Sequence, residues 1–76
     1  MPDRSAQIQR CFGHTLRAER KARNLTQQKV ALEANLSLTY VGEVERGERM
    51  VSLETVTRVA TALRLTAAQL LAKAGL

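Results

Sequence analysis

The stretch Leu25–Gly47, LTQQKVALEANLSLTYVGEVERG, has the pattern of two short helices joined by a tight turn. Thr26 is a good N-cap for one helix of the pair and Ser37 for the other, because each hydroxyl can accept a hydrogen bond from a free amide of the first turn. Asn35 tolerates a left-handed backbone and ends the helix that Thr26 begins, and Gly47 ends the helix that Ser37 begins. Since only about two residues separate the helices, we expect them to cross steeply.

Three more helices are predicted around this pair, so the fold class is all-α with five helices. The first covers roughly residues 6–23, Ser52 caps the fourth, and Thr66 caps the fifth over about 66–74. Apolar residues recur at helical spacing in two of them: Ile8, Phe12 and Leu16 in the first, and Leu53, Val56, Ala60 and Leu63 in the fourth. We expect residues 1–76 to form a single domain.

Gly13 lies inside the first predicted helix, where a glycine costs about 1 kcal/mol relative to alanine. Two explanations are open. Either the helix begins late, near Arg10, or another segment packs closely against Gly13.

The basic residues of the chain are unevenly distributed. Residues 1–29 carry seven basic and two acidic residues, and residues 30–76 carry five of each, so the net charge of +5 lies in the first part. A basic half beside a neutral half favours a polyanion such as DNA, or an anionic membrane, as partner. The alternative is an ordinary solvated helix face.

Several functional classes find little support in the sequence. Cys11 and His14 are the only cysteine and histidine, too few for a zinc site, and nothing near them would orient a catalytic imidazole. We therefore expect no enzymatic activity, no metal and no cofactor. No apolar run approaches the ~20 residues of a membrane span, and residues 1–10 lack the apolar stretch of a signal peptide, which predicts a cytoplasmic protein.

The third helix is too short to be stable alone, so Val41 and Val44 must dock on the other helices. Polar side chains then point outward. They are Ser37, Thr39, Tyr40 and Glu43. The major groove of DNA, about 12 Å wide, admits such a helix, and these groups can bond to base edges and phosphates.

The stretch from Leu25 to Gly47, followed by SLETVTRVATALRL, resembles the Cro and phage-repressor type of helix-turn-helix protein. The matching residues are Leu25, Thr26, Gln27, Ala31, Ser37, Val41, Val44, Glu45 and Gly47. The resemblance covers roughly residues 12–71 and implies that residues 26–45 form the helix-turn-helix.

Within that family, TYVGEVERGERMVSL is especially similar to the controller proteins of restriction–modification systems, which bind DNA as homodimers. The Thr39-Tyr40 pair, the Glu-Arg-Gly run and Arg49 all fit. Leu38 departs from the pattern, because those proteins often carry an arginine there, the side chain best suited to a bidentate guanine contact.

The resemblance and the helix pattern together give candidate DNA-binding residues. Gln27, at the start of the second helix, is expected at a phosphate, where free amides and the helix dipole favour an anion. Ser37 and Leu38 begin the third helix, which is the recognition helix in this prediction. Thr39 is the candidate for base readout.

The remaining candidates have competing interpretations. Tyr40 either reaches DNA or packs against a neighbour, and Glu43 either accepts from a cytosine amine or is simply solvated. Arg46 and Arg49 flank the recognition helix and are expected at phosphate or a base edge. The alternative for both arginines is an ion pair with Glu45 or Glu48.

Two structural roles are also predicted. The resemblance implies that Arg20 and Glu45 form a partly buried salt bridge between the first helix and the end of the third. Leu70 and Leu71 in the fifth helix, with Leu76 beyond it, are more apolar surface than one small domain is expected to bury, which indicates a dimer interface. Otherwise these leucines cap the core of the monomer.

Two hypotheses about function follow. The first is a sequence-specific transcriptional regulator, or repressor, that binds a palindromic operator in double-stranded DNA as a homodimer and needs no small-molecule ligand. The second is an antitoxin-like or accessory protein whose main partner is another protein. A membrane-surface role fits poorly, because the first helix needs its apolar face for the core.

Overall fold

The structure is a computed structural model that describes residues 3–76; the first two residues of the predicted 1–76 domain, Met1 and Pro2, lie outside the described residues. The described part contains five helices and no strand, which confirms the predicted fold class. The helices are α1 (Ser5–Ala22), α2 (Gln27–Ala34), α3 (Leu38–Glu45), α4 (Leu53–Ala62) and α5 (Ala67–Lys73).

The helix boundaries follow from the local chemistry of the caps. Thr26, Ser37, Ser52 and Thr66 each accept a hydrogen bond from the backbone amide three residues on, as predicted. Asn35 ends α2 with φ 57° and ψ 48°, the left-handed conformation that lets the chain turn at once into α3. These caps fix the length of the turn and so the crossing of the two helices.

The core is made of aliphatic side chains and one aromatic ring contributed by all five helices. Its members are Phe12, Leu16, Val30, Ala34, Val44, Val56, Val59, Ala60, Ala62, Leu63 and Leu70. Burial of a Val, Leu or Phe side chain contributes about 1.5–3 kcal/mol, so these residues dominate the stability of the fold. Leu53, predicted on the apolar face of α4, is 80% exposed, because it lies in the first turn and extends past the core.

Gly13 marks a close approach between α1 and α3. The helix α1 runs without a break from Ser5, so the late start near Arg10 is wrong. A Cβ on Gly13 would collide with the carbonyl oxygen of Val44 and lie 2.9 Å from that of Glu45. The glycine therefore lets α1 pack directly on the backbone at the end of α3.

The predicted leucine patch at the C-terminus needs one correction. Leu70 is fully buried in the monomer core and cannot belong to a dimer interface. Leu71 is partly buried against the same core, and Leu76 is 48% exposed. Only Leu71 and Leu76 remain available to a second subunit.

Candidate nucleic-acid interface

The third helix has one buried and one outward side. Val41 and Val44 are buried, and Thr39, Glu43 and Arg46 follow each other at intervals of four and three residues, which places them on one stripe. Thr39 and Arg46 are exposed and Glu43 is partly exposed. This outward stripe is the surface that α3 can present to a DNA groove.

Residues at the start of α3 are also accessible. Ser37 and Leu38 are exposed, and the Ser37 hydroxyl accepts from the backbone amide of Tyr40 at 3.0 Å. The cap therefore uses the Ser37 oxygen as acceptor, while its hydroxyl hydrogen stays free to donate to DNA. Leu38 contributes an apolar side chain to the same surface.

Tyr40 takes the packing role that was one of its two interpretations. Its ring is partly buried and packs against the hydrophobic core, so the packing role is present. The guanidinium carbon of Arg49 lies 5.8 Å from the ring centroid, within the range of a cation–π contact. Tyr40 thus also positions an arginine of the loop that follows α3.

A buried polar network joins the first three helices. Arg20 Nε donates to Glu45 Oε2 at 2.6 Å and Arg20 Nη2 to Glu45 Oε1 at 3.1 Å, which is the predicted salt bridge in bidentate form. Arg20 Nη1 also donates to the carbonyl oxygen of Leu25 at 2.8 Å. The Glu45 side chain is only 3% exposed, so the ion pair is almost fully shielded from water.

Gln27 is part of this network, which the sequence analysis missed. Its Nε2 donates to Glu45 Oε1 at 3.0 Å, so the carboxylate has three donors. Glutamine at the start of one helix and glutamate at the end of the next carry no sequence signal of contact, because the pairing depends on how the helices cross. The bond fixes the Gln27 side chain at the junction of α2 and α3.

The two arginines after α3 are paired with glutamates. Arg46 Nε lies 3.0 Å from Glu48 Oε2, and Arg49 Nε lies 3.5 Å from Glu43 Oε1. The hydrogen bond and charge of Glu48, with a smaller contribution from the charge of Glu43, raise the pKa of Arg46 above its ordinary value. The predicted alternative of ion pairing is therefore present in the free protein, although Arg49 pairs with Glu43.

A basic stripe lies on α1, and we define it as Arg10, His14, Arg17 and Lys21. These residues are exposed and spaced by four, three and four positions, so they share one face of the helix. Within residues 3–76, the three cations form no ion pair. A Cβ on Gly47 would lie 3.1 Å from the Cγ of Arg10, so the basic stripe begins beside the turn that ends α3.

Residues 3–76 contain neither a membrane-spanning helix nor a metal-binding cluster. Across residues 3–76, no helix has both the length and the apolar character needed to cross a bilayer. The same part of the chain has no group of three or more His, Cys, Asp or Glu side chains placed to hold a metal ion.

Comparison with known proteins identifies the fold. The helix-turn-helix family model matches residues 16–70. The control protein C.SmaI of Serratia marcescens is 38% identical over 69 residues, which cover 91% of this chain and 82% of that protein. The control protein C.BamHI of Bacillus amyloliquefaciens is 39% identical over 57 residues, which cover 74% of this chain and 70% of that protein.

A solved structure agrees with these relatives. The restriction-modification controller protein C.AhdI from Aeromonas hydrophila superposes with a TM-score of 0.79 and 42% identity, covering 82% of this chain and 94% of that one. The predicted resemblance is confirmed in both sequence and fold. The chain belongs to the helix-turn-helix family of DNA-binding transcriptional regulators.

Proposed function

We propose that the protein is a sequence-specific regulator that binds a palindromic operator as a homodimer and acts as the controller protein of a restriction–modification system. The observation that carries the proposal is the outward stripe of α3, which is rigidly held while its own side chains remain accessible. The similarity to C.SmaI, C.BamHI and C.AhdI supports the controller assignment.

In this proposal α3 enters the major groove and its outward stripe faces the base edges. The Thr39 hydroxyl can donate or accept, and its methyl group can contact a thymine methyl. Glu43 can accept from a cytosine amine. Leu38 offers only apolar contact, so base recognition at that position differs from recognition by an arginine.

Phosphate contacts would come from both sides of the recognition helix. One amide hydrogen of Gln27 is used by Glu45, which leaves the second for a phosphate near the start of α2. The cations of the basic stripe would follow the DNA backbone beside Gly47. Arg46 and Arg49 would reach phosphates or base edges after leaving their glutamates.

The proposed dimer interface consists of the fifth helix, about residues 66–74, and the residues that follow it, with Leu71 and Leu76 as its apolar contacts. A chain of 76 residues buries only about 60% of its unfolded surface, so a second subunit would add needed burial. A two-fold dimer would place two α3 helices about 34 Å apart, one turn of DNA. A cytoplasmic location and the absence of enzymatic activity belong to the same proposal.

The direct test is selection of bound duplexes from a random pool, followed by titration of the selected site and a scrambled duplex at several salt concentrations. We expect a symmetric selected sequence and an affinity that falls steeply with salt, since each phosphate contact adds about −0.9 to the slope of log K against log salt. An affinity that does not change between low and physiological salt would contradict DNA binding. Selection of a half-site alone would contradict binding of a palindrome by a dimer.

A further inference from the structure

The two arginines nearest the recognition helix are not free in the unbound protein. Arg46 Nε donates to Glu48 Oε2 at 3.0 Å, and Arg49 forms an ion pair with Glu43 in which Nε and Oε1 lie 3.5 Å apart. The arginine side chains are 58% and 57% exposed, so both remain within reach of a ligand. The two arginines that the proposed function assigns to DNA are thus already paired with carboxylates.

The two glutamates belong to one turn of backbone. The backbone amide of Glu48 donates to the carbonyl oxygen of Glu43 at 2.9 Å, which holds the two residues together at the end of α3. In the part of the chain that the structure describes, the three cations of the basic stripe have no such partners. The arginines at the end of α3 are therefore paired with carboxylates, whereas the cations of the basic stripe on α1 are not paired in this way.

A carboxylate and a phosphate compete for the same donors. A guanidinium presents its N–H groups to either anion in a similar geometry, and the bond to either is strengthened by charge. A DNA phosphate that binds Arg46 through Nε displaces Glu48, and the freed carboxylate then lies near the anionic backbone.

We propose that Glu43 and Glu48 are intramolecular competitors of DNA phosphate, so that a DNA contact made through Nε of Arg46 or Arg49 replaces an existing ion pair. The inference rests on the proposed function. Non-specific binding consists mainly of phosphate contacts, so the glutamates weaken it. They also reduce the salt dependence, because a freed glutamate takes up a cation while the DNA releases one.

The test compares Glu48→Gln with Glu33→Gln. Glu33 pairs with Lys29 at 3.3 Å on α2, in an exposed pair of similar kind, so the control makes the same change in net charge. On a scrambled duplex, Glu48→Gln should bind about two- to fivefold tighter than the control, the range that an exposed ion pair supports. Its salt slope should be steeper by up to about 0.9.

A double-mutant cycle separates competition from simple repulsion. In an Arg46→Gln background, Glu48→Gln should give no gain over Glu33→Gln in that same background, because no arginine is left to release. A gain that persists there would mean that Glu48 repels DNA directly, and it would overturn the inference. Equal affinity and equal slope for the two single variants would overturn it as well.

The outcome for the wild-type protein keeps this inference distinct from the proposed function. Wild-type binding that is independent of salt would contradict DNA binding itself. Salt-dependent wild-type binding with indistinguishable Gln variants would leave the proposed function standing and refute only the competition. Thermal unfolding followed by circular dichroism should show the same midpoint for both Gln variants.

Discussion

Removal of Glu45 should destabilise the protein more than removal of any exposed glutamate. The carboxylate is 3% exposed and accepts bonds from Arg20 at 2.6 and 3.1 Å and from Gln27 at 3.0 Å. In Glu45→Ala the guanidinium of Arg20 stays largely buried without its counterion. Loss of one partner of a buried pair costs about 3–5 kcal/mol.

This cost is large relative to the stability that a domain of this size can have. At roughly 0.05–0.15 kcal/mol per residue, 76 residues give about 4–11 kcal/mol of unfolding free energy. Glu45→Ala should therefore lose a large fraction of its unfolding free energy, and nearly all of it at the lower end of this range. Urea titration monitored by circular dichroism measures the change, with Glu33→Ala as the exposed control, which should lose less than about 0.5 kcal/mol.

A double replacement separates the charge effect from packing. Arg20→Met combined with Glu45→Leu removes both charges. Replacing a buried ion pair by apolar residues of similar volume often leaves the stability of a protein unchanged or raises it. The double variant should recover most of the stability lost in Glu45→Ala, yet leave Gln27 without the acceptor that orients it. A loss below about 1 kcal/mol in Glu45→Ala would refute the reasoning, because the pair would then behave as a solvated one.

Five other substitutions test the rest of the structure. Thr39→Ala should cost about 1–3 kcal/mol of binding on the selected operator and little on a scrambled duplex, whereas Gln27→Ala should weaken both by similar factors; titration of both duplexes distinguishes a base contact from a phosphate contact. Leu71→Asp should give a folded monomer by sedimentation, and Leu70→Asp should unfold the chain, because only Leu70 is fully buried; a folded Leu70→Asp would contradict the assigned core. Gly13→Ala should lower the urea midpoint despite the better helix propensity of alanine, since its Cβ would collide with backbone at the end of α3, and a raised midpoint would show that α1 can move away.

The sequence predicted the helix ends well because each end depends on neighbouring residues. Ser37 caps α3 through the amide of Tyr40, three residues away, so sequence spacing alone identifies the bond. Asn35 likewise terminates α2 through its own backbone conformation. Such local rules fixed the order and length of the helices and the tight turn between α2 and α3.

Predictions that depended on the faces of helices were less accurate. Leu70 and Leu71 are adjacent, so one must turn toward the core more than the other, and periodicity in a helix of only 7 residues does not choose between them. Leu53 fits the period of α4 but lies in its first turn, beyond the reach of the core. Packing between helices, which the sequence pattern does not contain, decided both cases.

Predictions for the candidate site likewise succeeded for local features and failed for some contacts between elements. Thr39 was predicted to be exposed from the inward positions of Val41 and Val44, and it is. Glu48 was one of the two predicted ion-pair partners of Arg46, and it is the partner. The pairing of Arg49 with Glu43 was not predicted, because it depends on the turn after α3, where a backbone hydrogen bond brings Glu43 and Glu48 together. The residues of a recognition surface thus follow from helix geometry, whereas the charge it presents to DNA depends on which carboxylates the next turn places beside its arginines. In the proposed competition, a substitution at Glu48 in the loop after α3 changes the affinity for DNA while Thr39 on the outward stripe stays unchanged.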